Sequence, residues 1–437
     1  MSESVEIRQL AATESAYAAT QVYFGYAVRV SGRVDLDSLS EAYRALTDNY
    51  PILAARIESG ASGYVLVTPS GSAPEISVVD GDPETQFIGA ELRQSVALSG
   101  LSVVRDGTDA NITFWAHHSA ADACHALTLL AELWSYYSDI AVGEKVEKLV
   151  NDYPLPVEEL LTARGIEKLP ASPTANGPFG SRVPADLPRD GRFWRLRSSR
   201  IRFSEQQTAA LIAVCRREGL TLSSLLAGAI MLAEAEIREM ALTDLQFGYP
   251  VDLHTRVSPP VGKTEGTNVL SFAVYQPTDP GAELFDLARG VTAELNAGLA
   301  GGFIQRIPLM QAATSGGLAT GPGMILASNW GSIPSLRTPP GLRITDFRSA
   351  QTNRTPGKPM EFPGGGGIII STYDNRLSIE LHHAESLTAQ QSARAREIEA
   401  VVLAAIGRPA PATTFPRDLA APPLLPGPAT GPRTAER

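Results

Sequence analysis

Hydrophobic and polar positions switch between a two-residue and a 3.6-residue period along the chain, so strands and helices are interleaved. Residues 22–30 (VYFGYAVRV) are rich in aromatic and β-branched side chains and predict a strand. Residues 35–49 (DLDSLSEAYRALTDN) carry Leu36, Leu39, Ala42 and Leu46 at helical spacing, with aspartates at the start and Pro51 closing the helix. Residues 112–116 (ITFWA) form a short apolar run that feeds directly into His117 and His118. Residues 123–137 (ACHALTLLAELWSYY) then set Leu127, Leu130, Trp134 and Tyr137 on one helical stripe.

Between 169 and 192 the composition turns to Pro, Gly, Ser, Ala and Asn with little periodicity, which predicts a linker between domains at 1–168 and 193–408. In the second part, residues 222–240 predict a helix capped by Thr221, and residues 245–251, 268–275 and 324–329 predict strands. Residues 367–373 and 377–381 flank Asp374, Asn375 and Arg376, a hairpin turn signal, and residues 387–406 predict a closing helix. Residues 409–437 are rich in Pro and Ala and predict a disordered tail. The two parts share their order of elements, as two related α/β sandwiches would.

The length of 437 residues suits two domains, and the 43% hydrophobic and 19% charged fractions are those of a folded protein. A formal charge of −10 with scattered basic residues argues against a nucleic-acid partner. No signal-peptide pattern opens the chain, and the apolar run 225–233 is too short to be a transmembrane segment, so a cytoplasmic setting is the expectation. Two cysteines, Cys124 and Cys215, exclude a disulfide framework and a four-cysteine zinc site.

Candidate chemistry concentrates in His117-His118-Ser119-Ala120-Ala121-Asp122, where a strand ends and a helix begins. Neighbouring strand residues point to opposite faces, so one imidazole can line a cavity while the other is buried in support. An imidazole exchanges protons near neutral pH, and Asp122 stands four residues after His118 to hold the turn's backbone or pair with an arginine. The bland alternative is a pair of structural histidines. A metal site is disfavoured, because adjacent strand residues diverge and no histidine pair at i, i+4 shares a helical face.

The strand, His-His-x-x-x-Asp and amphipathic helix together resemble the condensation and chloramphenicol acetyltransferase-like superfamily. The resemblance extends through residues 35–53 (ending Tyr-Pro-Ile-Leu), Pro250-Val251-Asp252-Leu253, Thr267-Asn268, Ser328-Asn329-Trp330-Gly331 and residues 336–342 (LRTPPGL). With Ala163-Arg164-Gly165-Ile166 and residues 379–383 (IELHH), the chain is similar to the polyketide-associated acyltransferases, the phthiocerol/phthiodiolone dimycocerosyl transferase-like family. This resemblance implies two chloramphenicol acetyltransferase-like sandwich domains with a tunnel between them. It implies His118 as general base, with His117 and Asp122 in support and Ser328 or Asn329 as an oxyanion or substrate contact. The donor would be an acyl-CoA or an acyl carrier protein of a polyketide synthase, and the acceptor a hydroxylated lipid or polyketide. Arg337 lies in a segment resembling one linked to carrier docking. No cofactor is called for.

Three departures accompany the resemblance. Ala123 replaces a usual Gly, His254 stands where an Arg is common with Arg256 two residues later, and an Asp-Phe-Gly-Trp motif of peptide-condensing relatives is missing. The rivals are an amide-forming condensation enzyme and an inactive carrier-docking scaffold. Cys124 and His382-His383 are expected to be structural, and Gly364 to Gly367 to form a loop at a tunnel mouth.

Overall fold

The aromatic and β-branched run after residue 22 forms strand Tyr23–Ser31, which lies at the middle of a six-stranded sheet in a computed structural model. The structure describes residues 5–69, 74–85, 91–168, 192–310, 321–355 and 366–407, and the backbone alone at 181–182, 311 and 316–317. The expected linker therefore lies almost wholly outside the described residues, and the expected tail 409–437 entirely so.

The first sheet runs in the order Ser77–Asp80, Ser99–Asp106, Asp109–His117, Tyr23–Ser31, Arg343–Thr355, Arg192–Arg195. Its core face carries Tyr26, Val28, Phe114 and Phe347, packed with Leu39 and Leu46 of helix Leu36–Asn49 and with Leu130 and Trp134 of helix Ala123–Ala141. Burying each such side chain contributes about 1.5–3 kcal/mol, enough to dock a helix whose own propensity is modest. Asp35 starts the first helix by accepting from the backbone N–H of Asp37 and Ser38.

The second sheet runs Arg197–Arg202, Arg376–His383, Gly366–Tyr373, Met324–Ser332, Gln246–Asp252, Leu270–Tyr275. Helices Leu222–Arg238 and Thr388–Gly407 pack over it around Leu226, Ile230, Ile379 and Ile398. Thr221 caps the first of these helices, as its position predicts. Asp374 and Asn375 both take positive φ, 49° and 57°, and close the hairpin that pairs Tyr373 with Arg376. The mixed α/β layering is that of two chloramphenicol acetyltransferase-like sandwiches.

One strand crosses over. Arg343–Thr355, late in the chain, pairs antiparallel with Tyr23–Ser31 over its whole length, from Arg343 opposite Ser31 to Thr352 opposite Tyr23. Residues 333–342 carry the chain there, with Ile333, Leu336 and Leu342 packed on the first core.

Among the described residues no single helix is long and apolar enough to cross a membrane; Glu205–Glu218 and Leu222–Arg238 pass that test only as a pair bent by 101°. The second of these is largely buried in its own core.

Candidate active site

Strand Asp109–His117 ends where His117 pairs with Tyr23, and the backbone N–H of His118 donates to the Val22 carbonyl at 2.8 Å. Ala120 N–H then donates to the His117 carbonyl, turning the chain into helix Ala123–Ala141. The turn separates the two imidazoles. His117 is fully buried against Tyr23, its Nδ1 accepting from Ser119 N–H at 3.1 Å and its Nε2 sealed without a partner. Burial lowers its pKa to about 3, with the neighbouring His118 adding to the effect.

His118 retains partial exposure and lies in an aromatic slot. Tyr17 stacks on it with ring centroids 4.0 Å apart and planes 3° from parallel, while Phe24 stands 4.8 Å away at 55°. Its Nδ1 is 3.0 Å from Asn268 Oδ1, and Asn268 Nδ2 donates back to the His118 carbonyl at 2.6 Å. That second bond fixes the amide: turned over, it would set oxygen against oxygen. Nδ1 must therefore carry the hydrogen, and Nε2 presents its lone pair. Nε2 has no partner among the described residues and is not sealed from solvent. Burial lowers the His118 pKa to about 4, against the hydrogen bond to Asn268, so the ring is neutral at pH 7.

Asp122 caps the helix and is fully buried. Its Oδ1 accepts from His125 N–H at 2.9 Å and its Oδ2 from Val269 N–H at 2.8 Å. Of the two roles open to it in the sequence, the backbone one is realised, and no arginine among the described residues pairs with it. Arg256 donates instead to the Asp252 carbonyl at 2.7 Å. Burial raises the Asp122 pKa to about 6, with His254 the foremost opposing influence. His254 is itself held 2.6 Å from Asp252 Oδ1. Burial alone would lower the His254 pKa, but the hydrogen bond to Asp252 and the charges of Asp122 and Asp252 leave it raised.

Four consecutive residues from the second half converge on this turn. The Gly266 carbonyl accepts from His125 Nδ1 at 3.0 Å, Thr267 Oγ1 donates to Glu14 Oε1 at 2.8 Å, and Asn268 and Val269 make the contacts above. A Cβ at residue 266 would stand 2.4 Å from Val269 Cγ2 and 2.6 Å from Leu160 Cδ1, so any side chain there would force these buried neighbours to shift. Glu14 is fully buried, held by Arg8 through two bonds and by Ala11 N–H, while its carbonyl accepts from Ser119 Oγ at 2.7 Å. Asn268 is a site residue that periodicity and spacing missed; in the sequence it stood only at the start of the predicted strand 268–275 and in the Thr267-Asn268 resemblance.

The remaining candidates fall in different places. Ser328 is half-buried on strand Met324–Ser332, and its hydroxyl has no partner among the described residues. Asn329 is exposed and its amide is engaged: Nδ2 donates to Ser223 Oγ at 2.7 Å and Oδ1 accepts from Gly331 N–H at 2.8 Å, where φ is +71°. It shapes the turn that delivers Trp330 onto Tyr26, at 4.8 Å between centroids. Arg337 pairs with Asp139 at 2.7 Å. Cys124 is half-buried with its thiol pushed up to about 11 by burial and by Asp122 and Asp252, so it stays protonated. His382 and His383 end strand Arg376–His383, bonded to Ser349 and Ser199. Gly366 and Gly367 belong to a strand rather than a loop, and 364–365 lie outside the described residues. Among the described residues no three His, Cys, Asp or Glu side chains converge as a metal would require.

His117, His125 and His382 are all kept neutral, with pKa values lowered by burial to about 3, 4 and 4. The unfolded chain binds protons at these histidines below its ordinary imidazole pKa of about 6.5, and the folded chain does not. Stability is therefore lost at these histidines as pH falls from about 6.5 towards 4, while Asp122, His254 and Glu158, whose pKa values are raised, oppose the loss. Urea unfolding at pH 7.5 and 4.5 checks it: the midpoint is expected to be clearly lower at 4.5, and equal midpoints would refute the burial of neutral rings.

Comparison with known proteins follows the same lines. Residues 194–382 match the family model for the phthiocerol/phthiodiolone dimycocerosyl transferase C-terminus. A phthiocerol/phthiodiolone dimycocerosyl transferase of Mycobacterium bovis is 34% identical over 359 residues, covering 78% of this chain and 85% of that protein. The chain belongs to the phthiocerol/phthiodiolone dimycocerosyl transferase family. It is accordingly an acyltransferase. Among solved structures, polyketide synthase associated protein 5 from Mycobacterium tuberculosis superposes with a TM-score of 0.76 at 29% identity, covering 92% of this chain and 99% of that one. The fold of this transferase family reaches further: a trichothecene 15-O-acetyltransferase from Fusarium sporotrichioides superposes with a TM-score of 0.63 at 12% identity, over 92% and 95% of the two chains.

Proposed function

We propose that the chain moves an acyl group from a CoA or carrier-protein thioester to the hydroxyl of a lipid or polyketide, with Nε2 of His118 as general base. One observation carries this reading: Asn268 fixes the proton on Nδ1, so the bare nitrogen is the one left open. The acceptor hydroxyl donates to Nε2, and its oxygen attacks the thioester carbonyl as the proton passes to the ring. When the tetrahedral intermediate collapses the C–S bond breaks, and the imidazolium returns that proton to the leaving sulfur. Burial keeps the ring neutral before attack, so it can accept the proton, and disfavours the imidazolium that then gives it up to the sulfur.

The substrate class follows the relatives, whose name couples a dimycocerosyl group with phthiocerol or phthiodiolone. In this reading the parts 1–168 and 193–408 build two lobes that enclose a tunnel, with Arg343–Thr355 of the second part crossing into the first lobe's sheet, and the Ser328 hydroxyl, without a partner among the described residues, is the oxyanion donor in preference to Asn329. Arg337, exposed beside Asp139, marks the face where a carrier domain of a polyketide synthase docks. The setting is cytoplasmic, where such thioesters are made. The test offers acyl-CoA and carrier-bound donors with chain-matched alcohols and amines and reads products by mass spectrometry. Esters are expected to dominate; amides alone would overturn the reading in favour of a condensation enzyme.

A further inference from the structure

Asn268 settles which nitrogen of His118 carries the proton, but one in-plane hydrogen bond leaves the ring able to rock about its Cβ–Cγ bond, a torsion that is broad in histidine. A base has to aim its lone pair within a narrow cone at the proton it takes. Phe24 cannot supply that constraint, since its ring meets the imidazole at 55°. Tyr17 lies flat on it, 4.0 Å away and 3° from parallel.

We propose that Tyr17 is a positioning residue for the acyl transfer: its ring face holds the plane of His118 so that Nε2 keeps its aim on the acceptor hydroxyl. The platform is itself rigid. Helix Ala12–Thr20 carries Tyr17 one turn after the buried Glu14, which Arg8 and Thr267 fix, and its C-terminal turn closes where the Tyr17 carbonyl accepts from Val22 N–H. The Val22 carbonyl in turn accepts from the backbone of His118, so platform and base share one short stretch of chain. The phenol hydroxyl has no partner among the described residues and is not sealed, so the flat ring and not the hydroxyl makes the contact. The same face favours the imidazolium that forms during transfer, because the ring's electron density attracts a cation laid over it.

This inference rests on His118 being the base, so the experiment measures His118→Ala, Tyr17→Phe, Tyr17→Leu and Tyr17→Met together, as kcat and KM for one thioester and alcohol pair, with Tm for each. Tyr17→Leu and Tyr17→Met are expected to lower kcat by about 10- to 100-fold, as misaimed catalytic groups do. KM should stay within about threefold, and Tyr17→Phe should restore kcat to the same margin. Full kcat in both aliphatic variants, with His118→Ala inactive, would overturn the positioning role and leave the base in place. Equal losses in the Phe and aliphatic variants would transfer the role to the hydroxyl and also overturn it. Undiminished turnover in His118→Ala would remove the function reading and this inference with it.

Discussion

Replacing His118 with alanine is expected to lower turnover by about 10²–10⁴-fold, the usual worth of a positioned general base. The fold should survive, because Asn268, the side-chain partner of His118, keeps its bond to the backbone carbonyl of residue 118. Steady-state turnover with a saturating thioester, read beside Tm, checks this, and unchanged product formation would remove the mechanism. Asn268→Leu is the informative companion. It leaves the ring in place but lets the proton move to Nε2, so a partial loss of kcat is expected. Asp122 makes a poor probe by comparison: its carboxylate joins His125 N–H to Val269 N–H across the two halves, so its loss disturbs folding and chemistry alike.

The largest effect on stability is expected at Glu234. Its side chain is 1% exposed and accepts from Arg238 at 2.7 Å and from Arg394 through a short contact. Arg394 is 3% exposed and donates further to the Gly366 carbonyl and Gln391 at 3.0 Å. The carboxylate thus joins the closing helix, helix Leu222–Arg238 and the start of a central strand. Glu234→Ala would leave the buried Arg394 and the half-buried Arg238 without their shared counter-charge, which costs about 3–5 kcal/mol. Each of these arginines already has one Nη2 sealed without a partner, so neither has a spare acceptor to turn to. Arg394→Leu should cost less, since Glu234 keeps Arg238. Denaturant unfolding of both variants gives the order, and a Glu234→Ala midpoint within error of the parent would contradict the arrangement.

Much of this architecture was legible because it is local. The apolar run ending at His117, the cap at Asp122, the cap at Thr221 and the Asp374-Asn375 turn are each decided by residues within a few positions of one another. Strand Arg343–Thr355 was not, since its sequence (RITDFRSAQTNRT) is too polar to suggest a place inside a sheet. Its polar groups are matched only after folding: Asp346 meets Arg200, and Ser349 meets Glu380 and His382. The same holds for Asn268 and Tyr17. Asn268 is ordinary until the chain returns to within 3.0 Å of a histidine 150 residues earlier. Tyr17 sits on a nine-residue helix too short for a periodic signal.

The crossing of Arg343–Thr355 sets a schedule for synthesis. Tyr23–Ser31 leaves the ribosome long before Arg343–Thr355, so one of its edges has no mate until residue 352 has followed it out. A nascent chain stalled anywhere before that point carries the two histidines on an unfinished sheet with a bare flank. Competence for acyl transfer should then arrive abruptly, once that strand has emerged, and chains released before it would be the ones that clump.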